Sequence, residues 1–298
     1  MSSRDHIRTD VRAITAASKA RHGRVPRPIT AGSFQSAYAI SFVTVHLLAA
    51  MAVLPYFWSW WGFGAFVFGF FLFGEGIILG YHRLLAHNSF AVPKWLERFM
   101  VVLAICSMQD TPVRWVTAHR MHHKYSDEQQ DPHTPHVNWF WGHVGWLCFR
   151  NSATRGSIPY SAYAHDLLKD PFYRKLEKNF WLVFMIFIAQ IYLYFAAGFA
   201  IGWATTGALA GGLQLGLSLL IWGVALRTVA TWHTTWGVNS LVHRFGYKNY
   251  DTPDDSRNSW IASIFASGEG WHNNHHHDQA SASNRHKWWE FDQSFAVV

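Results

Sequence analysis

The sequence predicts an all-α integral membrane protein, with four transmembrane helices in two hairpins and a cytoplasmic helical cap that holds a histidine-rich dimetal site. Three observations predict it. Of 298 residues, 50% are hydrophobic and 14% are charged, against about 25% charged in an ordinary soluble domain. Four apolar stretches, residues 37–58, 61–80, 180–203 and 207–232, each approach the roughly 20 residues that cross a bilayer core. Three clusters of histidine, within residues 82–87, 119–123 and 272–276, follow those stretches along the chain.

The spans can be justified in order. Residues 37–58 carry no charged side chain and end in Trp58, and residues 61–80 carry only Glu75. Residues 180–203 carry none, and residues 207–232 carry only Arg227. Tryptophans gather at the ends, as expected where rings sit between lipid and water. Buried helices of a large soluble protein rarely combine bilayer length, hairpin pairing and Trp-rich ends.

Lysine and arginine then orient the chain. Of 25 such residues, seven precede residue 28, none lies between Arg27 and Arg83, and none between Lys178 and Arg227. The hairpin turns, around Ser59 and Ala204, therefore lack positive charge. The positive-inside rule puts both termini, residues 81–179 and the tail after Trp232 in the cytoplasm. The net charge of +7 is then a matter of topology and lipid headgroups, with no nucleic-acid partner expected. Residues 1–33 read as a mobile basic leader ahead of a single membrane domain, residues 34–298. The leader has no apolar core, so the first span is expected to serve as its own insertion signal. Cys106 and Cys148 fall in or beside cytoplasmic segments and are expected to stay reduced.

All three histidine clusters fall on the cytoplasmic side under this argument. In "HRMHH" (His119, His122, His123) and "HNNHH" (His272, His275, His276), positions i, i+3 and i+4 share one helical face and can aim imidazoles at one point. His82 and His87, in "HRLLAH", are five apart and lie on different α-helical faces, so the helix is expected to end between them. Eight convergent histidines exceed the four ligands of a structural zinc site and suit two metal ions.

With these boxes on two membrane hairpins, the chain resembles the membrane-bound fatty acyl desaturases, from about residue 37 to 289. The flanking words "YHRLLAHNSF", "DPH" and "GEGWHNNHH" most resemble the stearoyl-CoA desaturase and bacterial Δ9 desaturase branch. The resemblance implies two irons held by histidine, O2 as co-substrate, and a cis double bond, most likely at Δ9, placed in a saturated chain carried on CoA or lipid. Zinc could enter the same imidazole site as an expression artefact. Within "VNSLVH" the resemblance implies His243 as a ninth histidine ligand and Asn239 as a contact through water. It also implies that Gln109, Trp115, Thr235 and Trp236 line the bend of an acyl tunnel, a Gln109–Thr235 hydrogen bond holding the kink. Where animal members carry Arg-Asp in contact with the CoA headgroup, this chain has Thr117 and Ala118. "KDPFY", residues 169–173, looks like bacterial and cyanobacterial members, some of which act on acyl groups esterified in lipid. No haem or flavin domain follows "WWEFDQSFAVV", so electrons are expected from a separate carrier such as ferredoxin or a b-type cytochrome.

Removing hydrogen from an unactivated methylene needs a stronger oxidant than acid–base groups provide, hence a redox metal, O2 and two electrons. Metal-bound imidazoles need acceptors for their second N–H. Glu75, Asp127, Asp131 and Glu269 are the candidates, with Asp127 read as a local cap and none expected to ligate directly. His6, His22, His165 and His286 read as surface residues, His277 as exposed, and His46, His133, His136, His143 and His233 lack box spacing. Two alternatives remain: a hydroxylase on the same scaffold, which product analysis separates, and a metal transporter, which would place polar residues along the spans.

Overall fold

The computed structural model describes Arg27 and residues 34–298. The leader expected over residues 1–33 lies outside the described residues, Arg27 excepted. Among the described residues the regular structure is helical, apart from three isolated β-bridges.

Among the described residues four helices are long and apolar enough to cross a membrane: Ser36–Val53, Trp60–Ala86, Phe180–Thr206 and Leu209–Leu241. The first is α1 (Ser36–Ala50) with a 3-10 extension; the second is α2 (Trp60–Glu75) running into a π-helix, Gly76–Ala86. The cap follows as α3 (Lys94–Ile105), α4 (Pro112–Tyr125), α5 (Trp139–His143), α6 (Ser157–Tyr163), α7 (His165–Lys169) and α8 (Pro171–Lys178). The second hairpin is α9 (Phe180–Thr206) and α10 (Leu209–Leu219), which continues through π-helix Leu220–Leu226 into α11 (Arg227–Leu241). Two short helices complete the site, α12 (Trp260–Phe265) and α13 (His272–His277).

Three spans overrun their expected ends, the third only from residue 203 to Thr206, and the first stops at Val53, short of the expected residue 58. The second was bounded at residue 80 and the fourth at 232 by apolarity alone, but both continue as helix into the cap, where polar side chains are buried by protein. His82 and His87 correct the expected break. The chain stays helical but widens to π-winding, and the His87 N–H donates to the His82 carbonyl at 3.1 Å, five residues back. Such winding brings residues five apart onto one face. The second turn also moves, from Ala204 to Gly207, whose φ of 67° supplies the left-handed C-cap of α9.

The turns and packing have local causes. Ser59 caps α2 by accepting from the Gly62 N–H at 2.9 Å, and its hydroxyl meets Ser218 at 2.6 Å, tying the first turn to the fourth span. Gly198 lets α9 approach α10, since a Cβ there would sit 2.7 Å from the Leu215 carbonyl oxygen. Half of the fourth span's most apolar window is buried against 11% of the first's, so the fourth is central and the first peripheral. Arg227, buried in the fourth span, donates to the Cys106 carbonyl at 3.1 Å and to Gln190, and its guanidinium lies 4.1 Å from the Phe73 ring centre. A core of Tyr81, Val101, Ile105, Val116, Tyr173 and Leu176 fixes the cap helices on the end of the second span.

Candidate metal centre

The nine histidines separate into two groups. His82, His87, His119, His123 and His275 form one, and His122, His243, His272 and His276 the other, with one ring nitrogen per residue lying within 4.8 Å of the rest of its group. Each group draws on several elements: the π-helix, α4 and α13 build the first, and α4, the segment after α11, and α13 build the second. Thr111 starts α4 by accepting from the Arg114 N–H at 3.3 Å, which sets the phase of "HRMHH". Inside "HNNHH", Asn273 accepts the N–H groups of Asn249 and Tyr250, both at 2.8 Å, and Asn274 donates to Glu290 at 2.7 Å. Those bonds anchor α13 to the preceding loop and to the C-terminal segment.

The nitrogens face one another. In the first group, Nε2 atoms run His87–His119 (2.8 Å), His119–His123 (3.0 Å), His123–His275 (3.0 Å) and His275–His82 (3.1 Å). In the second, His272 Nε2 lies 3.0 Å from His243 and 3.1 Å from His276. On four of the nine rings the opposite nitrogen points outward to a carboxylate: His82 to Glu269 (2.7 Å), His122 to Asp131 (2.9 Å), His243 to Asp127 (2.9 Å) and His276 to Asp254 (2.6 Å). An imidazole donating from Nδ1 presents a bare lone pair at Nε2. His122 Nε2 is buried without any hydrogen-bond partner.

Neutral imidazoles alone cannot satisfy this arrangement, because each N–H serves only one of several contacts near 3 Å and lone pairs meet. A shared cation removes the conflict. Metal–nitrogen bonds of about 2.1 Å at right angles put nitrogens about 3.0 Å apart, and tetrahedral angles about 3.4 Å. The observed 2.8 to 3.1 Å is of the size expected for nitrogens that would hold one shared cation. Burial and neighbouring imidazoles push His87 down to about 2 and hold His119, His123, His272 and His275 well below the usual histidine range. Burial would lower His243 too, but the Asp127 carboxylate overrides it and raises it to about 9.

The outer carboxylates correct two expectations. Asp127 is no local cap: it is buried, sits at φ 64°, and reaches His243 from 116 residues away. Glu75 touches no box histidine and instead accepts from Ser294 at 2.7 Å. Asp254 was missed; "DTPDDSRN" carries no periodic signal, and only the loop's return to α13 brings it to His276. Asp131 and Glu269 lie against His122 and His82 as candidates for that role. Of the remaining histidines, His133 is buried with its ring centre 4.4 Å from His122, His165 and His277 are exposed, and His286 is half-buried. His6 and His22 lie outside the described residues.

Two cavities meet at this centre. One, of about 770 Å³, is lined by Tyr38, Gln109, Arg155 and Trp236 among others; the second, of about 630 Å³, reaches Phe70, Gly74 and Ile77 in the second span. Both share Trp115, His119, Thr235 and Asn239. At the junction Gln109 donates to Thr235 at 2.9 Å and accepts from the Trp115 indole at 3.3 Å. Met108 and Asp110 flank Gln109 with φ of 53° and 70°, left-handed backbone that only a well-determined surrounding sustains. Thr117 is buried, and Ala118 lines the first cavity.

Residues 56–293 match the family model for fatty acid desaturases. The chain is 39% identical over 258 residues to the sn-1 stearoyl-lipid 9-desaturase of Synechocystis sp., covering 86% of this chain and 74% of that one. It is 38% identical to the sn-2 palmitoyl-lipid 9-desaturase of Nostoc sp., covering 85% and 82%, and 36% identical to an acyl-CoA 5-desaturase of Anemone leveillei, covering 85% and 72%.

Proposed function

This chain belongs to the fatty acid desaturase family, and we propose that it places a cis double bond between carbons 9 and 10 of a saturated acyl chain esterified in lipid. The observation that carries the reading is the junction itself. His82, His119 and His272, drawn from both histidine groups, line the two cavities that share Trp115, His119, Thr235 and Asn239. The names of the Synechocystis and Nostoc relatives support the carbon position and the lipid carrier.

The nine histidines would hold two irons, with Asn239 reaching one of them through water. Iron with O2 would supply the oxidant: two hydrogens leave the substrate, two electrons and two protons enter, and two waters form per double bond. The protein does the rest by position. Asp127, Asp131, Asp254 and Glu269 fix the ring orientation of four histidines and keep their Nε2 lone pairs directed inward. Gln109, held by Thr235 and Trp115, keeps the cavity bent, and Trp236 closes its wall. A chain threaded through that bend presents one methylene pair beside His119, so position selects the carbons. The bend favours the cis product. The box-bearing side, with both termini, faces the cytoplasm in this reading, because the turns near Ser59 and Gly207 lack Lys and Arg; there a separate one-electron carrier can reach it.

The test is lipid analysis of a desaturase-deficient host expressing the chain, with double bonds located by mass spectrometry. A new Δ9 cis bond in lipid-esterified chains is expected. Bonds at another carbon, or a hydroxylated product, would overturn the proposal.

A further inference from the structure

We propose that the groove between the first and third spans seats the second acyl chain of a diacyl glycerolipid while its first chain occupies the bent cavity. The substrate then arrives from the bilayer as a two-chain lipid, and the groove is what distinguishes it from a single-chain carrier. This rests on the reading of the bent cavity as the acyl tunnel.

The groove takes in about 680 Å³ of open space between the box-side ends of α1 and α9, with Phe42 on one wall, Phe180, Val183 and Phe184 on the other, and Ile105 and Trp232 also lining it. It exists because the two spans pack elsewhere: α1 lies on the π-turn Leu220–Leu226, and α9 on α10. The groove shares Tyr38, Phe42, Met108 and Asp110 with the mouth of the tunnel. Two apolar channels thus diverge from one polar saddle. That is the shape of a glycerolipid, whose two ester-linked chains leave neighbouring carbons.

The saddle is polar but balanced. Asp110 accepts from the Tyr38 hydroxyl at 2.7 Å, from Arg155 at 2.9 Å and from Arg114 at 3.2 Å. Arg114 also donates to Glu177 at 2.9 Å. Two guanidinium groups meet two carboxylates, which among the described residues lining this saddle leaves no surplus cation for a polyphosphate headgroup of the kind that CoA carries. Hydroxyl and guanidinium groups suit neutral ester oxygens. Within a bilayer the groove gains nothing from hydrophobicity, since lipid tails are as apolar as its walls. Selection must come from shape, and shape can be changed.

Ala37 and Ser41 line the groove with small side chains, and Ala37 is exposed. Ala37→Trp and Ser41→Trp therefore fill the groove without entering the core. In host membranes where the full chain is active, turnover of distearoyl glycerolipid is expected to fall by about tenfold or more relative to a stearoyl lysolipid, as overpacking of a fitted site costs. Equal losses on both substrates, or no loss, would overturn the inference. A second measurement does not depend on turnover: a diacyl lipid carrying a photoreactive diazirine on its non-reacting chain should label residues 180–187 selectively, and labelling spread evenly over the spans would refute the groove. A wild-type chain that desaturates stearoyl-CoA but no diacyl lipid sinks the groove and the lipid carrier and leaves desaturation standing. Failure to desaturate any of them sinks the function itself.

Discussion

Replacing Asp127 with Asn isolates what one outer carboxylate does for the metal centre. Asp127 is buried and accepts from His243 Nδ1 at 2.9 Å, the Asp255 N–H at 2.8 Å and the Thr134 hydroxyl at 3.2 Å. Its φ of 64° is a conformation asparagine tolerates well, so the backbone need not move. Asn keeps the shape and one acceptor oxygen but removes the charge that holds the His243 ring. A hydrogen bond to a charged group contributes about 1.5–3 kcal/mol, and loss of such an outer partner lowers metal affinity by about 10- to 100-fold, or about 1.4–2.8 kcal/mol. The two estimates agree. Chelator competition on the iron-loaded protein reads the change, and only the second of two iron equivalents should weaken. Unchanged affinity, or equal weakening of both irons, would refute the reasoning.

Further outcomes follow from the same geometry. Because His243 sits at about 9 before metal enters, it should release a proton on loading at pH 7; calorimetry in buffers of different ionisation enthalpy should count one proton fewer for Asp127→Asn. A raised value also has a sign: the His243–Asp127 pair stabilises the metal-free fold fully below the ordinary histidine value near 6.5, and that contribution is lost as pH rises through about 9, which melting curves of metal-free protein across that window would show. Thr235→Val removes the partner of Gln109 without touching a ligand, so turnover should fall while iron content stays constant. Gly198→Val should lower the melting midpoint by an amount equivalent to about 1–3 kcal/mol, because its Cβ has no room against Leu215; an unchanged midpoint would contradict the close helix approach. Feeding acyl chains of two lengths should leave the bond at carbon 9 in both, and a bond fixed from the methyl end would contradict placement by the saddle and bend.

Particular residues show how much could be read before the structure. The box histidines carry their own signal, since i, i+3, i+4 spacing is a property of one helix and needs no long-range knowledge. The four spans are equally local, their apolarity continuous over bilayer length. What escaped was set by the return of distant chain. Asp254 and Asp127 become buried partners of His276 and His243 only when the loops after α11 and α4 fold over the centre, and no local pattern distinguishes them from solvated acids. The π-winding of residues 76–86 escaped because the apolar pattern there suits either helix, and the choice depends on packing around His82 and His87. His243 and Asn239 carried no spacing of their own and stood only on the family resemblance.

Iron content of the active protein, measured with turnover in single-site variants, tests the central claim most directly. Iron-supplied protein should hold two irons per chain, and His119→Ala and His272→Ala, one from each group, should each lose iron and abolish desaturation. One iron per chain in fully active protein, or full turnover after either substitution, would contradict a centre built from two histidine groups.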